Sequence, residues 1–439
     1  MQSNQPVFKI RVEDALANEP VRQRFRRVMD DLMTRRLDQF PDPEELDRLR
    51  SKSMAIRANA LSKLPDLLEQ LDENLTRQGV QVHWAETTQE ANQVVLKIMQ
   101  AHNADMIIKG KSMVSEEMGL NAFLNEHGIE AIESDLGEYI LQLAGEHPSH
   151  IVMPAIHKTK QQISELFAEK FPDIPYTDDV DELTANARAI LRDKFRKAKV
   201  GLSGVNFAVA ETGTLCLVEN EGNGRMSTTA PDVHIAVTGI EKVVEKLEDV
   251  PPLLSILTRS ATGQPITTYF NMISSARKEG EKDGPKEVHL VLLDNGRSHM
   301  YSDPELLETL RCIRRGACIT HCPVYARLGG HAYGTVYPGP IGTIFEPQKA
   351  GLKVHGDLLS ASSLCGACSE VCPVRIPIPG IINRLRKDSV TPGAHSTGSG
   401  IKRKGLEAAI WKGWSLMHKN GGLYRFGIRM ATTFRRLMP

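Results

Sequence analysis

The sequence is poor in aromatic side chains: Phe, Tyr and Trp together make up 5% of its 439 residues. Proteins that hold single-stranded nucleic acid stack bases on aromatic platforms, so this scarcity argues against such a surface. Charge of one sign is missing too. Lys and Arg number 54, and so do Asp and Glu, which leaves no global pull towards a polyanion. No run approaches the 18 continuous apolar residues that a membrane-spanning helix needs. The opening MQSNQPVFKIRVEDALANEP has no apolar h-region, so no secretory signal is expected. These absences predict a cytoplasmic protein with no nucleic-acid partner. Cysteine is scarce as well, at seven residues, but six of them fall into two tight clusters. Disulfides rarely persist in the cytosol, and clustered cysteines there more often hold metal or do redox work.

What remains is an ordinary globular composition, 41% hydrophobic and 25% charged, long enough for two or three domains. Residues 1–75 read as a helical N-terminal arm. In EPVRQRFRRVMDDLMTRRLDQF, the residues Val21, Phe25, Val28, Met29, Leu32 and Leu37 fall near one helical face. A second helix follows over PDPEELDRLRSKSMAIRANALSKLPDLLEQLDENLTRQG. Residues 76–300 alternate strand and helix patterns, which predicts an α/β domain with a largely parallel sheet. The expected strands are VQVHWA, ADMIIKG, IEAIESD, HIVMPAI, VHIAVTG and EVHLVLL. GVNFAVAETGTLCLVENEGNG reads as a hairpin turning near Thr212–Gly213. Residues 301–390 hold the cysteines among many Gly and Pro, a composition suited to loops wrapped around a cofactor. Residues 391–439 are a linker and a basic tail, in which nine Lys and Arg face Glu407 alone.

The two cysteine runs nearly spell the ferredoxin pattern C-x2-C-x2-C-x3-C-P. Cys312, Cys318, Cys322 and Pro323 lie on it, with Arg315 at the second cysteine position. In the second run, Cys365, Cys368, Cys372 and Pro373 lie on it, with Ser362 at the first. In two-cluster ferredoxins the cysteine before proline ligates the other cluster. The expected sets are therefore Cys312, Cys318 and Cys372 for cluster one, and Cys365, Cys368 and Cys322 for cluster two. A closed tetrahedral zinc site fits the x3 spacing and Cys-Pro endings less well. Arginine stays protonated and ligates no iron. Cluster one is therefore a [3Fe–4S] cluster, a [4Fe–4S] cluster with one iron not bound by thiolate, or a labile site. The guanidinium should also favour reduction by stabilising the added negative charge. Ser362, His321 and His355 are candidates for a fourth ligand to cluster two, and Cys216 reads as a buried strand residue.

GVNFAVAETGTL, CIRRGACITHCPVY and SLCGACSEVCPVRIPIPG together resemble the lactate utilisation protein B family. The resemblance runs along most of the chain. It implies an α/β domain similar to the sugar-phosphate isomerase/CoA-transferase fold, followed by an α-helical two-cluster ferredoxin-like segment. It further implies electron transfer during oxidation of L-lactate to pyruvate, alongside the other subunits of a lactate-oxidising complex. The family's first run reads C-I-R-C-G-A-C, so Arg315 is the departure, and the six cysteines carry over as cluster ligands.

A second site is expected at the strand ends of the α/β domain, where open sheets bind ligands. Lys109, Lys111, Ser112, His157, Lys158, Glu211, Thr212 and Thr214 form a cationic edge with one carboxylate, suited to a small carboxylate or a phosphate. Rival readings make the α/β domain an acyl-transfer or isomerase-type enzyme using Glu211, or the chain a scaffold. The tail, with Trp, Leu and Phe among its basic residues, suits peripheral contact with a membrane surface or an acidic partner.

Overall fold

The computed structural model describes residues 7–110, 112–391 and 405–433. Among the described residues there are ten strands: β1 (Gln81–Ala85), β2 (Met106–Gly110), β3 (Glu130–Glu133), β4 (Val200–Gly204), β5 (Phe207–Val209), β6 (Thr214–Glu219), β7 (Val233–Gly239), β8 (Val243–Val244), β9 (Tyr269–Ile273) and β10 (Glu287–Leu293). Six form a wholly parallel sheet in the order β1-β10-β7-β4-β2-β3. The other four form a smaller sheet, β8-β5-β6-β9, built on the β5–β6 hairpin with Gly213 in a left-handed conformation at its turn.

Strand alternation gives the large sheet two apolar faces. On one face Val233, Ile235, Val237, Val291 and Leu293 pack with Val95, Met99, Leu120 and Leu124. On the other, Ala236, Val288, Leu290 and Leu292 pack with Leu64, Leu68, Leu71 and Leu75. Those leucines belong to the N-terminal arm, so the arm closes one side of the sheet. Its expected second helix divides at Lys63 into Pro43–Ser62 and Leu64–Arg77. Pro65 lies in the first turn of the second piece, where its missing N–H costs nothing.

The helix Glu19–Asp38 buries Phe25, Met29 and Leu32, but Leu37 is exposed. Arg36, four residues beyond Leu32, takes the next place on the buried stripe instead. A further expectation fails. HIVMPAI is not a strand: residues 150–157 form turns, in which His150 Nδ1 accepts hydrogen bonds from the N–H groups of Val152 and Met153, both at 3.1 Å. After β7 the chain makes a short 3-10 turn, the two-residue β8 and a second 3-10 turn before the helix Val250–Thr262 begins.

The cysteine segment shares a core with the arm. Phe8, Phe25, Tyr325, Tyr333 and Cys322 belong to one cluster of buried residues. Arg50, on the helix Pro43–Ser62, donates to the carbonyls of Cys372 and Ser369, each at 2.9 Å. Buried Arg57, two turns further along the same helix, donates to the carbonyls of Val243 (2.6 Å) and Leu310 (3.2 Å). One helix therefore fixes the second cysteine turn against the α/β domain. Among the described residues, no helix is long and apolar enough to cross a membrane.

Candidate functional site

The two cysteine runs fold as near copies of each other, fifty positions apart. Arg314 and Leu364 both take left-handed backbone conformations, at φ 57° and 56°, and Gly316 and Gly366 follow at 73° and 87°. This turn points Arg314 N–H back at Cys312 Sγ (3.3 Å), and Leu364 N–H back at Ser362 Oγ (3.2 Å). A single helical turn follows each, Ala317–Thr320 and Ala367–Glu370. Past it, Cys322 Sγ accepts from Tyr325 N–H at 3.4 Å, and Cys372 Sγ accepts from Ile376 N–H at 3.3 Å. N–H groups aimed at sulfur favour the thiolate form.

Cys312, Cys318 and Cys372 line one small chamber, together with Arg315, Gly316 and Ile341. Cysteine 372 thus leaves its own run to join the first. Burial raises the Cys372 thiol to about 11, and neighbouring Cys312 adds to the effect against the Ile376 N–H. Burial also raises the Cys318 thiol well above its ordinary value, next to Cys312, Cys372 and Cys368. In the other group, burial raises Cys368 to about 12, beside Cys322 and Cys365. Cys322 is raised by burial too, with Cys365 beside it. Cys365 itself is exposed. Thiols crowded in this way stay protonated unless cations hold them as thiolates. An iron–sulfur core, ligated by thiolates and steadied by N–H···S bonds, fits this donor set.

The other nominated ligands lie as follows. Ser362 occupies the place of Cys312 in the second turn, with its hydroxyl held by Leu364 N–H. His321 bonds the Ala317 carbonyl through Nδ1 at 2.9 Å. His355 lies among Glu346, Lys349, Asp357 and Arg11. Cys216 is fully buried on β6, its thiol pushed up to about 12 by burial, as a strand residue should be.

A cavity of about 510 Å³ adjoins the first cysteine turn, at the carboxyl ends of β2, β4 and β7. Arg314 and Arg315 line both this cavity and the three-thiol chamber, so they form the wall between them. Arg314 lies over the rings of Tyr337 and Phe345, at 4.3 and 4.1 Å from their centroids, and pairs with Glu241. Three buried nitrogens in this wall have no hydrogen-bond partner among the described residues: His150 Nε2, Arg314 Nη1 and Arg315 Nε. Burial lowers His150 to about 4, so its ring is neutral, and with Nδ1 accepting two N–H bonds the proton sits on Nε2. Lys242, also buried, reaches the Cys312 carbonyl at 3.5 Å.

The strand-end residues nominated from sequence do not gather here. Lys109 is 1% exposed and bonded to Glu133 and Asn121, each at 2.6 Å, so its charge is used internally. Lys111 lies outside the described residues. Ser112 alone of the set lines the 510 Å³ cavity. His157 and Lys158 pair with Glu146 in a different cavity, against the N-terminal arm. Glu211 is exposed, accepts from Leu247 N–H at 3.0 Å and lines neither cavity. Thr212 donates to Thr214 beside it. The sequence reading missed His150, Lys242 and Arg314. His150 was hidden in an apolar run read as a strand.

A parallel α/β domain joined to paired cysteine turns of ferredoxin type defines an iron–sulfur electron-transport protein. Residues 308–376 match the 4Fe-4S dicluster domain family, residues 68–293 the LUD domain, and residues 384–439 the family described as lactate utilisation protein B, C-terminal. Lactate utilization protein B of Bacillus subtilis (strain 168) is 42% identical over 432 residues, covering 98% of this chain and 88% of that protein. The Oceanobacillus iheyensis protein of the same name is 42% identical over 97% of this chain and 87% of its own length. An Escherichia coli (strain K12) chain described as uncharacterized electron transport protein YkgF is 40% identical over 96% of this chain and 86% of its own. The chain belongs to the lactate utilisation protein B family, with a role in lactate utilisation that includes iron–sulfur electron transfer. A crystal structure of a duf162 family protein from Deinococcus radiodurans aligns with 52% of this chain and 98% of its own, at 16% identity and a TM-score of 0.30.

Proposed function

We propose that this chain is the electron-carrying subunit in the oxidation of L-lactate to pyruvate, working with other subunits of a lactate-oxidising complex. The reaction releases two electrons and two protons, and paired iron–sulfur clusters supply one-electron steps that accept and pass on those electrons. Cys312, Cys318 and Cys372 hold the first cluster, and Cys322, Cys365 and Cys368 the second. The observation that carries this reading is the three-thiol chamber, in which a cysteine of the second run stands with two of the first. The chain's own part is to hold the two groups adjacent, Cys318 beside Cys368, and to shield them within the arm's core. Anaerobic reconstitution followed by iron and sulfide analysis and EPR tests it. Two paramagnetic centres are expected in the wild-type chain, and Cys372→Ser should perturb the centre that Cys312→Ser perturbs. A Cys372→Ser spectrum changed only at the centre that Cys365→Ser alters would falsify the crossed assignment.

The 510 Å³ cavity supports a small carboxylate as a ligand of the α/β domain. Its wall offers three unpartnered N–H donors and the Lys242 amine, which burial lowers to about 7, while a carboxylate offers acceptors on two oxygens. Pyruvate added to the loaded protein should shift the EPR line shape of the Arg315-side centre, and His150→Phe should weaken that response several-fold. An identical spectrum at saturating pyruvate removes the ligand reading and leaves the relay untouched. The exposed tail helices Gly405–Lys419 and Gly421–Thr433 support peripheral contact with an anionic membrane from the cytoplasmic side.

A further inference from the structure

We propose that His102, Glu287 and His289 form a binding site for a divalent transition-metal ion, zinc by its donor set. The site lies at the amino edge of the parallel sheet, the edge opposite the cysteine turns. Glu287 opens β10 and His289 follows two residues later, so the strand's two-residue period places both side chains on one face. His102 caps the carboxyl end of the helix Thr88–Ala101, which packs beside β10. Sheet and helix thereby bring together three ligand-type groups that the sequence holds 187 positions apart at their widest.

The geometry matches a metal better than it matches hydrogen bonds. His102 Nε2 lies 3.4 Å from Glu287 Oε2, and His289 Nε2 lies 3.6 Å from the same oxygen. All three donor atoms lie within 4.8 Å of one another. Tetrahedral zinc with ligand bonds of about 2.0–2.2 Å sets its donors roughly 3.3–3.6 Å apart. The His289 separation is too long for a hydrogen bond. His289 is 4% exposed, and its Nε2 has no hydrogen-bond partner among the described residues. Such an orphaned buried nitrogen is costly, and a cation ligated by it removes the cost.

The surroundings complete the pattern. His289 Nδ1 lies 3.1 Å from His83 Nε2, on the neighbouring β1, with the two rings stacked at 5.4 Å. Ligating histidines are commonly oriented through their second nitrogen in this way. Gln81 Nε2 approaches Glu287 Oε2 at 3.4 Å. Two imidazoles and a carboxylate are a zinc donor set that leaves a fourth position for water, and the half-exposed Glu287 gives solvent access to it. No group in this site belongs to the cysteine turns, so the ion is separate from the iron–sulfur clusters. Bound, it would tie the end of the helix Thr88–Ala101 to the first residue of β10.

The test uses the full chain, purified anaerobically with its clusters loaded, dialysed against zinc chloride and then against metal-free buffer. Zinc and iron are counted by mass spectrometry in wild type, His102→Ala and Glu287→Gln. His102 and Glu287 are partly exposed, so both variants should fold. The expected result is one more zinc per chain in wild type than in either variant, at equal iron content. Added zinc should also raise the melting temperature of wild type and leave that of His102→Ala unchanged. Equal zinc content in all three proteins, or no retained zinc in wild type, overturns the proposal.

Discussion

Arg315 stands where the ferredoxin pattern places a thiolate, and its side chain borders both the three-thiol chamber and the larger cavity. Burial lowers its guanidinium to about 10, partly offset by Cys312, so it remains a cation at neutral pH. A fixed positive charge beside an anionic cluster favours the reduced state. If the first cluster is of the three-iron type, Arg315→Cys is expected to convert its EPR signature into a four-iron one and to lower the reduction potential of that centre. Unchanged spectra and potential would show that position 315 has no part in ligation or tuning.

Arg297 is the other decisive buried charge. It pairs with Glu117 at 2.9 Å and with Glu241 at 2.6 Å, and all three side chains are almost wholly buried. Burial alone would raise both carboxyls. Arg297, with Lys349 for Glu117 and Lys242 for Glu241, overrides it, placing Glu241 at about 2 and Glu117 well below the usual range. A depressed folded-state value means that the stability is fully present above the unfolded value of about 4.3, and is lost as pH falls towards the folded values. Urea midpoints should therefore hold steady down to about pH 5 and drop between about pH 4.3 and 2. Glu117→Gln should cost about 3–5 kcal/mol at neutral pH, because it leaves buried Arg297 short of a counter-charge. The same variant should flatten the acid limb of the profile.

At the scale of elements, most strands were legible because the parallel sheet is buried on both faces and its strands are compact apolar runs, VHIAVTG and EVHLVLL among them. The cysteine turns were legible from spacing alone. The misreadings share one cause: local pattern was overridden by contacts from distant elements. HIVMPAI has strand composition, but it wraps the first cysteine turn, where His150 lies against Gly316. Lys109 sits at a strand end as a ligand residue would, yet Glu133 and Asn121, from the next strand and helix, claim it. Gly201 shows the same dependence. A Cβ there would stand 1.9 Å from the Ser227 carbonyl oxygen, because the helix Asn223–Thr229 lies directly on β4. Gly201→Ala should destabilise by about 1–3 kcal/mol or more, read from chemical denaturation. An unchanged midpoint would mean that this helix moves aside freely.

For the whole molecule, the contrast lies between one continuous body and two tail helices that hold no buried residue among those described. The arm, the α/β domain and the cysteine segment interlock through Arg50, Arg57 and a common core. The helices Gly405–Lys419 and Gly421–Thr433 instead leave Leu406, Ile410, Trp411, Trp414 and Phe426 exposed. Lys412, Lys419, Arg425 and Arg429 lie on the same two helices, against Glu407. The further basic residues Lys402, Arg403, Lys404, Arg435 and Arg436 lie outside the described residues. Basic helices with exposed Trp, Leu and Phe bind the interface of anionic bilayers, each cation near the surface contributing about 1 kcal/mol. The intact protein should sediment with vesicles containing phosphatidylserine, less so with neutral vesicles. Raising the salt from about 50 to 500 mM should release most of it, because the screening length for exposed charges falls from about 14 Å to about 4 Å. A chain ending at residue 400 should stay in the supernatant while keeping its full iron content, since the buried cluster that holds the cysteines includes no residue of the described tail helices. Sedimentation unaffected by that truncation, or equal on neutral vesicles, would assign the tail's apolar residues to a partner subunit.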